Sequence, residues 1–541
     1  MITRSIQIAL LATITLGLIT GCERDASEKP AQTAQVEPSE RPNILFIVWD
    51  TARADRLSLY GHQRRTTPFL DEWSRNARVM DNCLTVGSTT APSHASMFTG
   101  LMAGEHGVTN EERLLPDEFV TLAELLKLNG YATYMFSENP HVARFGPKPS
   151  FAQGFDLAEH PWSKAYRADA LELTLRKLHG LPSTSHLVQK VENRQIGQWT
   201  IKAAGELAQR GVEQWLADRQ PDQPFFVFLN YMEAHRPLIP PPRFREQIMT
   251  PEQVAASYRV NYDWIPLWSY VLGLREMSAA ELELFAGLYD AALLELDTLL
   301  RDLLESLEAK GYLDNTVVVL VGDHGEHLGE HHMLDHQFSV YEPLMRVPLV
   351  IHYPPSFKPG RDSRPVMNVD LFPTLLELAG VEPPSRSKAL SLLNPPEQRT
   401  RIGEYPAAMM GVLKTVRQRY PNFDPTPWTR GLRAYYHEPH KFIEASDGTH
   451  ELYDLQQDPG ELNNLYERRP ELAQRLATEL KAYAASLQSP PVRDSGVSEP
   501  VDHSTRGMLE SLGYLQADED EPTTQPTSGP ATKPATQRSN P

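Results

Sequence analysis

Four short stretches of the chain are apolar almost from end to end: Asn43–Trp49 (NILFIVW), residues 224–231 (PFFVFLNY), residues 316–321 (TVVVLV) and residues 347–352 (VPLVIH). An alternating pattern would mark strands with one wet face. A continuous one marks strands buried on both faces. Between them run helical patterns. Thr121-Leu122-Ala123-Glu124 forms a capping box, and Gly130 ends the helix that it opens. Residues 279–307 place apolar side chains at helical spacing on a long acidic stretch. Strands separated by helices predict an α/β fold, a mostly parallel sheet flanked by helices on both faces. In such sheets ligands bind beyond the carboxyl ends of the strands.

Three of these strands end in groups that bind cations. The first runs into Asp50, the third into Gly322-Asp323-His324-Gly325-Glu326, and the second into Glu233-Ala234-His235. One such residue commonly caps a turn. Three at one rim predict a divalent metal site. A fourth segment supplies a hydroxyl. Residues 87–100 (GSTTAPSHASMFTG) read as a short helix, with Pro92 in its first turn and Gly100 as its stop. Thr90 then sits at the helix N-terminus, where free N–H groups and the dipole favour an anion. A hydroxyl held beside a metal there can attack phosphorus or sulfur. The alternative is that these Ser and Thr residues only cap the helix.

The ends of the chain read differently. Arg4 precedes an apolar run from Ile6 to Ile19, long enough for a signal-peptide core and short for a membrane span. It closes Leu18-Ile19-Thr20-Gly21-Cys22, similar to a bacterial lipoprotein cleavage box. Residues 1–21 are then a signal peptide, Cys22 the lipidated first residue, and residues 22–41 a polar tether. An uncleaved anchor is the alternative. This predicts an exported bacterial lipoprotein, held at the outer membrane and facing the periplasm or the exterior. Residues 516–541 are rich in Asp, Glu, Thr and Pro and are expected to be disordered. The net charge of −18 argues against nucleic acid as a partner, and two cysteines exclude a disulfide framework. Cys83 reads as a small buried apolar residue.

The order of these segments resembles the sulfatase family of the alkaline phosphatase superfamily. Thr90-Ala91-Pro92-Ser93-His94 followed by Thr99-Gly100 and Gly107 is similar to the family signature, in which Cys or Ser leads x-Pro-Ser-Arg. The strand into Asp50, Gly130-Tyr131-Ala132-Thr133, Asp323-His324-Gly325-Glu326, Tyr341-Glu342 and residues 370–380 match as well. So do residues 451–465 near the end, and the likeness spans roughly residues 42–485. It implies a large catalytic domain, taken as residues 42–385, and a smaller C-terminal one with a short antiparallel sheet, taken as 386–515. It implies hydrolysis of sulfate esters, or in related branches phosphate and phosphonate esters, with one divalent cation. Asp50, Asp323 and His324 would be metal ligands. Thr90 would be the nucleophile and touch the metal. His235 and His336 would contact substrate, and one or the other would act catalytically by assisting the leaving group; His336 falls near a position where the family often has Lys.

The departures bear on mechanism. The family's usual nucleophile is a formylglycine made from Cys or Ser. Thr90 carries a methyl group on Cβ and cannot become that aldehyde, so no formylglycine is expected; Ser88 lies too far from Pro92 to replace it. A Thr ester must be cleaved by water at sulfur or phosphorus. His94 stands in place of the signature Arg and is counted among the catalytic residues. Thr51 stands where many members have a second metal-binding Asp. Asn139 is the candidate for a missing substrate-binding Lys. His324, where calcium-binding members have Asn, leans the ion from calcium toward zinc or manganese. No spare Asp-x-x-x-His ends a strand, so one ion is expected. Three functions remain open: hydrolysis of sulfate esters, hydrolysis of phosphomonoesters or phosphodiesters by a Thr nucleophile, and an idle lipoprotein that binds glycans. The partner is accordingly a sulfated or phosphorylated small molecule or glycan, with the membrane reached through the lipid anchor.

Overall fold

The computed structural model describes residues 41–143, 150–178, 204–260, 264–384 and 388–487. The expected signal peptide, Cys22, the tether up to residue 40, the tail 516–541 and the end of the C-terminal subdomain lie outside the described residues.

Asn43–Trp49 takes the centre of an eight-stranded sheet, between Phe225–Tyr231 and Thr316–Gly322, and is parallel to both. Beyond Phe225–Tyr231 follow Ala132–Ser137 and Leu157–Glu159. Beyond Thr316–Gly322 follow Leu349–His352, Arg78–Met80 and Gly360–Asp362. The continuous apolar runs have the burial their composition demands. Every residue of Phe225–Tyr231 and Thr316–Gly322 is buried, as are six of the seven in Asn43–Trp49.

Two features differ from the sequence expectation. Leu349–His352 runs antiparallel to both of its neighbours. A parallel return needs a crossover of a dozen or more residues, usually through a helix. Residues 323–348 form the loop at the strand end instead, and their only α-helix, Glu342–Met345, has four residues. The strand Ala132–Ser137 is fully buried yet does not read as an apolar run, because Thr133 and Ser137 interrupt it. Thr133 is tolerated because its Oγ1 donates to Gly154 O at 2.8 Å and its N–H to Asp156 Oδ2 at 2.9 Å.

Alternate side chains of each strand build two cores. On one face Leu45, Ile47, Val227, Leu229, Val318 and Leu320 pack with Leu293, Leu296 and Leu300 of the helix Ala279–Ala309. On the other, Phe46, Val48, Phe228, Val319 and Val321 pack with Ala95 and Phe98 of the helix Thr90–Thr99. Both faces are covered, as the doubly apolar strands require. A four-stranded antiparallel sheet follows, in the order Arg401–Tyr405, Leu432–His437, His440–Ala445 and Glu451–Asp454. The helix Pro470–Ser486 packs on it through Leu476 and Leu480.

Candidate active site

Register decides which side chains meet at the rim. Trp49 is level with Gly322 on one side and with Tyr231 on the other. Asp50 and Asp323 therefore leave the sheet side by side, with His324 next. One ligand atom from each of these three buried residues lies within 4.8 Å of the others. The contact between two buried acids is held by fixed donors. Thr51 and His324 give their N–H groups to Asp323 Oδ1 at 3.0 and 2.8 Å. Asn139 Nδ2 donates to Asp50 Oδ2 at 2.7 Å. Thr51 reaches this position with φ at 60°, a left-handed backbone that is strained for a β-branched residue. Tyr289 steadies it by donating its hydroxyl to Thr51 O at 2.6 Å.

Each acid keeps one oxygen in reserve. Asp50 Oδ1 and Asp323 Oδ2 are buried and have no hydrogen-bond partner among the described residues. Burial, and for Asp50 also the charge of Asp323, raises both carboxyls to about 7. His324 is kept neutral, its pKa driven down to about 3 by burial and by the charge of His336. Its Nδ1 bonds Gly325 O at 2.9 Å, a carbonyl that can only accept, so the proton is on Nδ1 and the lone pair on Nε2. That Nε2 lies 3.2 Å from Thr90 Oγ1 and 3.4 Å from Asp323 Oδ2. Two carboxylate oxygens lacking partners and a neutral imidazole nitrogen fit a divalent cation.

Thr90 opens its helix, and Gly100 closes it with φ at 69°. The helix start is anchored to the loop that carries Asp323. Ser93 Oγ donates to Asp323 O at 2.7 Å, and Asn368 Nδ2 donates to Ser93 Oγ at 2.9 Å. Upstream, Glu404 of the C-terminal sheet exchanges backbone bonds with Val86 and Ser88 at 2.8 and 3.2 Å. Asn139 Nδ2 also reaches Thr90 Oγ1 at 3.4 Å.

The other expected residues separate into two groups. His94 lies behind Thr90. Its Nδ1 donates to Thr90 O at 2.9 Å, and its ring meets Phe98, Phe151 and Phe228 at 6.0 to 6.4 Å. Burial holds it neutral, at about 3, so its 3.6 Å approach to Asp323 is not an ion pair. His235 and His336 stand together with ring centres 5.1 Å apart, and His336 is 4.5 Å from His324. His235 donates Nδ1–H to Arg236 O at 2.6 Å.

His336 brought unforeseen partners. Its Nδ1 faces Asp335 Oδ1 at 2.9 Å and Glu326 Oε2 at 3.3 Å. Against burial, which works the other way, these carboxylates raise His336 to about 10. Glu326, Asp335 and His336 also converge closely enough to hold an ion. There, however, Asp335 is already matched by Arg236 at 2.5 Å and by the Trp268 indole N–H at 3.0 Å. The signal was present in the sequence as a repeated Asp-His pair, 323-324 and 335-336. A narrow cleft opens before Thr90, lined also by Asn110, Arg113, His141, His336 and Gln337. Arg113 and Gln337 have no motif that would have marked them.

Comparison with known proteins adds the family. A model described as Sulfatase matches residues 42–381, and one described as N-sulphoglucosamine sulphohydrolase, C-terminal, matches residues 329–488. An N-acetylglucosamine-6-O-sulfatase of Bacteroides thetaiotaomicron is 26% identical over 523 residues, covering 83% of this chain and 88% of the relative. An ulvan-active sulfatase of Formosa agariphila is 26% identical over 471 residues, covering 86% and 83%. Among solved structures, the phosphonate monoester hydrolase of Agrobacterium radiobacter superposes with a TM-score of 0.64 at 22% identity, covering 82% of this chain and 96% of that one. A protein solved with its substrate D-glucosamine-2-N,6-O-disulfate gives 0.61 at 22%, covering 82% and 99%. With a family model spanning most of the chain, and the rim of Asp50, Thr90, Asp323 and His324 inside it, this protein belongs to the sulfatase family.

Proposed function

We propose that this protein hydrolyses sulfate esters of a sugar-like alcohol, with Thr90 as nucleophile and one divalent cation held by Asp50, Asp323 and His324. The observation that carries the reading is the convergence of Thr90 Oγ1, the His324 lone pair at 3.2 Å and the two carboxylate oxygens that lack partners. The named sulfatases among the relatives support the ester class. The imidazole in the donor set supports zinc or manganese over calcium. When bound, the cation lowers the pKa of a neighbouring hydroxyl and neutralises ester oxygens.

The chain's own groups do the rest. The helix N-terminus at Thr90 presents backbone N–H groups to an incoming anion. Thr90 gives up its hydroxyl proton to solvent, and its Oγ forms a bond to sulfur as the bond from sulfur to the alcohol oxygen breaks. His336, charged and held through Nδ1 by Asp335 and Glu326, gives a proton to the departing alkoxide. Water then attacks sulfur, His336 takes up the water's proton, and Thr90 Oγ is released to recover its own. His94 fixes the first turn of the helix through Thr90 O, and Asn139 ties Asp50 to Thr90.

One observation favours a second reading. Thr90 cannot pass through an aldehyde hydrate that expels the acid by breaking its own C–O bond. Cleavage at the central atom suits phosphorus as well as sulfur, so a phosphomonoester or phosphodiester is the second substrate class. Assays on aryl sulfate, aryl phosphate and bis-aryl phosphate, each with zinc, manganese and calcium, test both readings. Thr90→Ala is expected to abolish turnover. Failure of the wild-type protein on every ester with every ion would leave the glycan-binding alternative. Export and a lipid anchor at Cys22 belong to the same proposal, supported by the leader sequence.

A further inference from the structure

The helix that carries Thr90 is bracketed by one residue of the C-terminal sheet. Ahead of Thr90, the backbone of Glu404 donates to Val86 O at 2.8 Å and accepts the Ser88 N–H at 3.2 Å. These bonds require no particular side chain. Past the far end of the helix the side chain adds a third. Glu404 Oε2 accepts the Gly104 N–H at 3.0 Å, in the first turn of the short helix Ala103–His106. A first-turn N–H has no acceptor within its own helix, and a carboxylate suits it in both hydrogen bonding and dipole. The short helix is in turn fastened to the long one. His106 Nδ1 accepts the Val108 N–H at 3.0 Å, so the proton is on Nε2, which donates to Ser96 Oγ at 3.0 Å. Residues 86–106 are thus referred at both ends to a side chain that lies 300 positions from Gly104 in the chain.

The residue type is an expensive one for its place. Glu404 is 4% exposed, and burial pushes its carboxyl up. Its cation, Arg433 Nε at 3.1 Å, belongs to a side chain that is itself 45% exposed. Ile402 of the same strand packs in the core with Val86, Met102 and Ala103. An apolar side chain at 404 could extend that core without the cost of desolvating a charge. What the carboxylate adds is the bond to Gly104.

We propose that Glu404 is a positioning residue, whose backbone sets the segment ahead of Thr90 while its carboxylate sets the segment behind the same helix, so that Thr90 Oγ1 is held in place against Asp50, Asp323 and His324. This rests on the hydrolase reading for what Thr90 does, whereas the bracket itself can be read without turnover. Glu404→Leu keeps the backbone bonds and deletes the carboxylate. In the metal-loaded full chain it is expected to lower kcat by about 10- to 100-fold with little change in KM, as for a nucleophile displaced by a fraction of an ångström. Glu404→Gln keeps an oxygen for the Gly104 N–H and is expected to recover most of kcat. Arg433→Met is the control for stability. It strips Glu404 of its cation and leaves the Gly104 bond, so the melting temperature should fall while kcat stays near that of the wild type. Hydrogen exchange read by mass spectrometry over residues 86–106 should be faster in Glu404→Leu and close to wild type in Glu404→Gln. If Glu404→Leu does not fold, Glu404→Asp takes its place, since it keeps the charge and withdraws it by one methylene. Wild-type kcat and exchange in the variant, a kcat that only tracks melting temperature across the set, or a raised KM with kcat intact overturns the proposal. A wild-type protein that turns over no ester, yet loses protection over residues 86–106 in Glu404→Leu, upholds the bracket and overturns the hydrolase reading instead.

Discussion

At the scale of the residue, the chemistry lies in what burial does to two acids and to the imidazoles beside them. Asp50 and Asp323 both rise to about 7 when no cation is present, chiefly because they are buried. A carboxyl whose folded pKa lies above its unfolded value costs stability as pH rises from the unfolded value through the folded one. The apo protein is therefore expected to lose thermal stability between about pH 4 and 8, as both acids ionise in place. A divalent cation held there would take the place of those protons. Zinc or manganese should raise the melting temperature more at pH 8 than at pH 5, and calorimetry at neutral pH should register proton release on binding. An equal ion-induced shift at both pH values would remove these acids from the ion's ligands. His336 makes a different prediction. If it delivers the proton to the leaving group, His336→Gln should slow an alkyl ester by about 10²- to 10⁴-fold and a nitrophenyl ester far less. Rates across a series of leaving groups check this. An equal loss for all of them would limit His336 to holding the substrate.

At the scale of the element, the same residues are presented by strand register and by loops with no spare room. Three of the four strands that read as continuous apolar runs carry Asp50, His235 and Asp323 to the rim. That part of the site was legible because double burial leaves composition little choice. The capping box at Thr121 and Glu124 was legible for the same local reason, and its two bonds form at 2.8 and 3.2 Å. What followed the strands was not legible. The reversed strand Leu349–His352 and the paired carboxylates around His336 depend on how residues 323–348 fold back, and no periodicity encodes that. Gly325 shows the constraint. A Cβ there would stand 1.9 Å from Pro343 O, and the Gly325 carbonyl sets the tautomer of His324. Gly325→Ala is expected to push this loop apart, lower ion affinity by about tenfold or more and destabilise the fold by about 1–3 kcal/mol. Ion titration and denaturant unfolding of the variant measure both effects.

At the scale of the whole molecule, the C-terminal sheet is part of the apparatus rather than an appendage. Its edge strand supports Val86 and Ser88 ahead of Thr90. Its inner strand reaches the segment that follows the site loop through Lys441. The resemblance to the family suggested such a sheet, but nothing in the sequence marked Lys441, because a lysine in a strand is ordinarily a solvated one. Here its side chain is fully buried, with Nζ at 3.1 Å from Glu342 and 2.6 Å from Glu461. Glu461 in turn accepts the Glu342 N–H at 2.7 Å, and Tyr436 donates to Glu342 at 2.8 Å. Burial pushes the Glu461 carboxyl up, while Lys441, against the same burial, holds Glu342 down. Removing the ammonium leaves two acids facing each other out of water. Lys441→Met should therefore cost about 3–5 kcal/mol, whereas Lys441→Met combined with Glu461→Leu should recover much of it, since a buried pair replaced on both sides is often nearly neutral. The deficit of the single variant should also depend on pH. With Lys441 gone, Glu342 loses the charge that held it down and Glu461 rises further, so both hold protons in the folded state and the loss is smaller at pH 5 than at pH 8. Urea unfolding of the wild type and the two variants at both pH values reads each term. A single variant as stable as the wild type, with no pH dependence, would mean that Lys441 does not hold the two parts of the molecule together.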